Sequence, residues 1–149
     1  MTEKLRRDEL VALVERVFRP VDEDRNLAIL VDLPNQAKPD NADWKSRRRM
    51  AADWARLLQT KSSGLGLSTQ LFLYENVKSN NAGLPCQAWS CSSGDIPDHI
   101  GEAQALPVIS FDALLKENSL VLAPTEFSAT APLKLLAKAY GFRAATMPG

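Results

Sequence analysis

Apolar positions recur in this chain in two rhythms. Leu10, Leu13, Val14, Val17 and Phe18 fall at i, i+3, i+4, i+7 and i+8, the stripe of an amphipathic helix. That helix is predicted from about Glu3 to Phe18, with Pro20 ending it. The rhythm then changes. Leu27-Ala28-Ile29-Leu30-Val31 is apolar at every position, as a parallel strand buried on both faces should be, and it ends at Asp32. A second helix is predicted from about Asp43 to Thr60, capped by Asp40, Asn41 or Asp43. Met50, Ala51, Trp54, Leu57 and Leu58 share its apolar arc. Arg47 falls inside that arc, whereas Arg48 and Arg49 are expected to face water. Ser68–Tyr74 reads as a strand, and Pro85–Trp89 as a short strand that Pro85 marks as an edge. Ile100–Leu106 holds a helical turn. Pro107–Ile109 fits a strand or a helix lead-in, and Ser110 caps a helix over Phe111–Lys116.

The stretch from Leu120 to Thr146 organises the rest. Leu120–Ala123 is an apolar run stopped by Pro124. A polar loop, Thr125–Thr130, follows. Leu133, Leu136, Ala137 and Tyr140 then mark a helix, with Pro132 in its first turn and Gly141 as its left-handed stop. Phe142–Thr146 reads as a further strand. Such a β–loop–α–β unit implies a parallel, doubly wound sheet. The expected fold is a single Rossmann-like, three-layer α/β domain over residues 1–149, with a mostly parallel sheet of about five strands.

Ligands of doubly wound folds sit at the carboxyl ends of strands, against helix N-termini. Asp32, Arg47, Thr125, Ser128 and Thr130 are therefore the candidate ligand-binding residues, and Asp32, Thr125 and Ser128 are expected to border a shallow polar pocket open to solvent. Each has a plainer alternative. Asp32 caps a turn or pairs with an arginine, Arg47 pairs with Asp32 or Asp43, and Ser128 or Thr130 caps the following helix.

Totals narrow the function further. The 149 residues carry 18 basic and 18 acidic side chains, and a neutral domain with one four-charge cluster, Lys45–Arg49, is a poor nucleic-acid binder. No apolar run approaches the roughly 20 residues that span a bilayer, and the charged N-terminus is unlike a signal peptide. A soluble, cytoplasmic domain is expected. Cys86 and Cys91 make no disulfide framework, and with Asp95, Asp98 and His99 they lack the tight paired spacing of a zinc site. With one histidine, neither a Ser-His-Asp nor a Cys-His machine is compelling. Gly64-x-Gly66 precedes a strand and lacks a third glycine, so it is no dinucleotide fingerprint. No catalytic residue, metal or cofactor is expected.

Three segments, Leu27–Pro34 (LAILVDLP), the helix with Arg47-Arg48-Arg49-Met50-Ala51-Ala52-Asp53-Trp54, and Phe142–Gly149 (FRAATMPG), have a joint resemblance. The last resembles the R-x-A-x-MPG stretch in the N-terminal half of aminopeptidase T-like metallopeptidases of the leucyl aminopeptidase type and their relatives, which include a dihydroxypyridine dioxygenase branch. The resemblance implies a two-part protein whose Glu/His/Asp metal ligands belong to the C-terminal half. No position here matches them. Met147-Pro148-Gly149 has the composition of a strand-to-loop junction, which together with the resemblance implies a truncated chain. The expected function is then a scaffold or substrate-side domain, catalytically inert alone, whose partner is the missing C-terminal domain or a second copy of the chain. A stand-alone ligand-binding module and a domain that pairs through an exposed sheet edge are the alternatives.

Overall fold

A computed structural model describes residues 4–59, 66–92 and 95–147. The predicted starts and ends at Glu3 and Thr60, most of the Ser62–Gly66 turn, and the final Pro148-Gly149 lie outside them. Among the described residues the elements run α1 (Arg7–Phe18), β1 (Asn26–Leu33), α2 (Ala42–Leu58), β2 (Ser68–Glu75), β3 (Gln87–Cys91), α3 (Ile100–Ala103), β4 (Val108–Ser110), α4 (Phe111–Glu117), β5 (Leu120–Ala123), α5 (Thr130–Tyr140) and β6 (Arg143–Thr146). The caps follow the chemistry of the sequence. Asn41 Oδ1 accepts the Trp44 N–H at 2.9 Å and Ser110 Oγ accepts that of Ala113 at 3.1 Å, while Gly141 stops α5 at φ +80°.

The six strands form one mixed, mostly parallel sheet in the order β4-β3-β2-β1-β5-β6. β1 runs parallel to both β2 and β5, and β5 parallel to β6. β3 is antiparallel to its neighbours β2 and β4. The sheet exceeds the expected five strands because Val108–Ser110 adds β4 outside β3. The strand that Pro85 marked as an edge is therefore interior. Pro85 itself lies ahead of β3, so its missing N–H breaks no ladder bond.

β1 is the axis of the core. Leu27, Ile29, Val31 and Leu33 pack with Leu10, Val14 and Phe18 of α1 and with Ala51, Trp54, Ala55 and Leu58 of α2. Ala28 and Leu30 point the other way, into a cluster with Phe111, Leu114 and Leu115 of α4 and Leu133 of α5. Period-two alternation along a strand apolar throughout thus supplies both faces. Truncating such a residue to alanine costs about 2–5 kcal/mol.

The phase of α2 differs from expectation. Its fully buried positions include Trp44, Arg48, Ala51, Ala55 and Leu58, spaced four, three, four and three. The helix is turned about one residue from the expected arc, so Arg48, expected in water, is 0 % exposed. Trp44 fixes the rotation, because its indole N–H donates to the Asp32 carbonyl at 2.9 Å. The buried guanidinium is tolerated because carboxylates meet it. It donates to both oxygens of Asp40, at 2.9 and 2.7 Å, and to Asp98 at 2.9 Å. Burial pulls the Arg48 pKa down, but Asp40 and Asp98 outweigh it and raise it overall.

At the amino ends of the strands, Asp24 is the corresponding tie. It accepts from Arg143 at 2.7 Å and from Ser119 at 2.6 Å, joining the approach to β1 with the starts of β5 and β6.

Candidate functional site

From β1 the chain passes through α2 to β2 on one side, and from β5 through α5 to β6 on the other. The carboxyl ends of β1 and β5 therefore border a topological switch point. Asp32 and the Thr125–Thr130 loop meet there, as the parallel pairing of Leu120 with Leu27 requires.

The geometry of this crevice is closed. Asp32 is 1 % exposed, and Thr125 is 0 %. The two Asp32 oxygens accept the backbone N–H groups of Glu126 and Phe127, at 2.8 and 3.0 Å. Burial pushes the Asp32 pKa up, those N–H groups oppose the shift, and the nearby Glu126 charge adds to it. The Tyr74 hydroxyl is also fully buried and has no hydrogen-bond partner among the described residues. Burial first, and then the Asp32 charge, push its pKa well up, with the facing Thr125 hydroxyl opposing. Thr125 spends its own proton on the Phe127 carbonyl at 2.8 Å. The expected open pocket bordered by Asp32, Thr125 and Ser128 does not form, because the loop folds its own amides onto the carboxylate.

Arg47 belongs to the same assembly, with a partner other than Asp32 or Asp43. Its guanidinium meets Glu126 at 2.8 Å, with the arginine side chain 21 % exposed. Asn41 Nδ2 donates to the other Glu126 oxygen at 3.2 Å. The Phe127 ring meets Trp44 edge-on, centroids 5.7 Å apart, and Lys38 lies over its face. The loop after β5 is thus clamped to the loop after β1 and to α2 by charge, amide and aromatic contacts.

The start of α5 is likewise occupied. Its N-cap position is Ala129, which has no side chain to cap with. Ser128 Oγ takes the Thr130 N–H at 3.3 Å, and the Thr130 and Thr146 hydroxyls share a hydrogen bond at 2.7 Å. Remaining donors go to the loop after β2. Asn81 Oδ1 accepts the Ala131 N–H at 3.0 Å, and Asn80 Oδ1 accepts that of Ser128 at 2.9 Å. In the sequence these asparagines mark 75–84 as a loop, but their capping role is not read from it. Two adjacent short amides in such a loop, suited to capping, are the signal that was there to use.

Beside this crevice the sheet edge opens. A cleft of about 610 Å³ is lined by Asn35, Gln36, Ala37, Glu75, Lys78, His99 and Ile100. A second of about 290 Å³ adjoins it and shares Glu75 and Lys78. Glu75 and Lys78 stand at and beyond the carboxyl end of β2, and His99 precedes α3. Among the described residues no group of three or more His, Cys, Asp or Glu stands close enough to hold a metal, and no helix is long and apolar enough to cross a membrane. Comparison with family models, curated proteins and solved structures finds no match to the chain.

Proposed function

We propose that this chain is a Rossmann-like, three-layer scaffold or substrate-side domain of an aminopeptidase-like metalloenzyme, catalytically inert by itself. The observation that carries the reading is the closed switch point. Both oxygens of Asp32 are taken by backbone amides, and Glu126 is held by Arg47 and Asn41. Polar groups spent in this way position a loop. The stretch that resembles the metallopeptidase half supports the same role. Arg143, the arginine of its R-x-A-x-MPG pattern, is committed to Asp24, and the alanines that follow it pair in the sheet with β5. The helices that cover both sheet faces, and the oppositely running crossovers from β1 and β5, support the Rossmann-like assignment; antiparallel β3 and β4 extend it at one side.

The coding sequence beyond Gly149 is the test. The reading expects it to continue into a region with clustered His, Glu and Asp, and expects the 149-residue chain to hydrolyse no amino-acid amide with or without added divalent metal. A stop codon after Gly149, or metal-dependent hydrolysis by this chain alone, overturns it.

A further inference from the structure

The open cleft carries charges that the closed crevice lacks. Glu75 accepts from Asn35 Nδ2 at 2.9 Å with one carboxylate oxygen, and its other oxygen has no partner among the described residues. Asn35 is itself held, since its Oδ1 accepts the Lys38 N–H at 2.8 Å, so the Glu75 carboxylate is oriented in advance. Lys78 has no ion pair among the described residues, although Glu75 lines the same cleft. Its backbone is fixed by a bond from its N–H to Asn76 Oδ1 at 3.1 Å. Asn76 is in turn buried and donates to the Leu33 carbonyl at 2.9 Å. His99 Nδ1 accepts the Gly101 N–H at 3.0 Å. A neutral ring that accepts at Nδ1 carries its proton on Nε2, and that donor has no partner among the described residues.

Among the described residues the cleft therefore offers a fixed, negatively charged acceptor, an unpaired cation and an unpartnered N–H donor. It is a shallow depression largely open to solvent, with room for a small molecule held by its charged ends. A simple anion meets repulsion from Glu75, and a simple cation meets it from Lys78. One molecule that carries both charges satisfies both residues. We propose that the cleft between Asn35, Glu75, Lys78 and His99 binds a small zwitterion, its ammonium on the Glu75 carboxylate and its carboxylate on the Lys78 ammonium and the His99 Nε2–H. This goes beyond the scaffold reading and stands or falls apart from it, because binding to the chain itself is measured and no activity is required.

The experiment is a titration of the ¹⁵N-labelled full chain with L-alanine, followed by amide chemical shifts. Propionate and ethylamine, each with one of the two charges, serve as comparison. L-alanine is expected to give saturable, millimolar shifts at Asn35, Glu75, Lys78 and Gly101. Either single-charge compound is expected to bind about tenfold more weakly, the loss of one charge-assisted contact. E75Q and K78M, both at exposed positions, are expected to weaken L-alanine by a similar factor while leaving the remaining spectrum unchanged. Shifts that do not saturate, that are unaffected by both substitutions, or that propionate reproduces at equal concentration overturn the proposal.

Discussion

The crevice between β1 and β5 and the cleft between β1 and β2 lie along one sheet edge and share the loop that follows β1. They are opposite in character. In the first, Asp32, Thr125 and Ser128 are all buried, and their polar atoms are largely used within the protein. In the second, Glu75, Lys78 and His99 are exposed and keep unused hydrogen-bonding capacity. The density of polar residues in sequence points to the first; the unused capacity points to the second. The lesson is that hydroxyls and carboxylates at a switch point mark a site only when the fold leaves them partners to find.

Substitutions sharpen the contrast, because the closed region should register them as stability and the open one should not. The largest effect belongs to Arg48. Arg48→Ala leaves Asp40 and Asp98 facing each other and empties the space beside Trp44, so chemical denaturation should show a loss of about 3–5 kcal/mol. Arg48→Lys should recover little, since the fork that spans two carboxylates is lost. A loss below about 1 kcal/mol would show that this buried arginine is no strut.

Asp32→Ala strands two amides in the closed crevice and should cost about 2–4 kcal/mol. Asp32→Asn should cost less. Its pH dependence carries a sign: the folded-state pKa of Asp32 is raised, chiefly by burial, so the stability it contributes is complete below the unfolded value and declines as pH rises through the folded one. The wild-type advantage over Asp32→Asn should therefore shrink with rising pH, and an advantage that grows would contradict the burial argument.

Asp24 gives the opposite sign. Burial, the largest single influence, raises its pKa, but the bonds from Arg143, Ser119 and the Val21 N–H prevail and hold it at about 2. Its contribution is present above the unfolded value and lost as pH falls from about 4 to about 2, on the order of 1–2 kcal/mol after screening at the half-exposed Arg143. Acid titration of stability should lose this step in Asp24→Asn.

Asn81→Ala removes the cap that the β2–β3 loop lends to α5 and should cost about 1 kcal/mol, read as a lower melting temperature. Smallest of all, E75Q and K78M in the open cleft should alter stability by no more than about 0.5 kcal/mol. A larger loss there would mean that the open cleft, too, is structural.

The course of the fold was largely legible. β1, β5 and α5 were visible because an unbroken apolar run, a proline stop and a glycine stop each have one physical meaning. The parallel pairing of β5 with β6 followed from the β–loop–α–β unit. β4 stayed ambiguous between a strand and a helix lead-in because three residues carry too little periodicity, and Val108, 58 % exposed, lacks a strand's buried face. Arg47 and Arg48 were exchanged because adjacent residues differ by only 100° around a helix, and the deciding contact, the Trp44 indole on the Asp32 carbonyl, is tertiary. In the site, the meeting of Asp32 with the Thr125–Thr130 loop was legible. Its closure was not, because the groups that fill it are backbone amides and the asparagines of a distant loop, which no side-chain pattern announces.

β1 has a consequence for synthesis. Its two neighbours arrive at very different times: α2 leads directly to β2, whereas Asp32 waits for amides 94 and 95 residues later in the chain. At about 5–20 residues per second, a ribosome leaves the β5-facing edge of β1 unpaired for roughly 5–20 s. That edge belongs to an apolar strand, the kind of surface that recruits other strands. The nascent chain is thus most prone to aggregation between the emergence of β2 and that of β5, and slower translation across that interval lengthens its exposure.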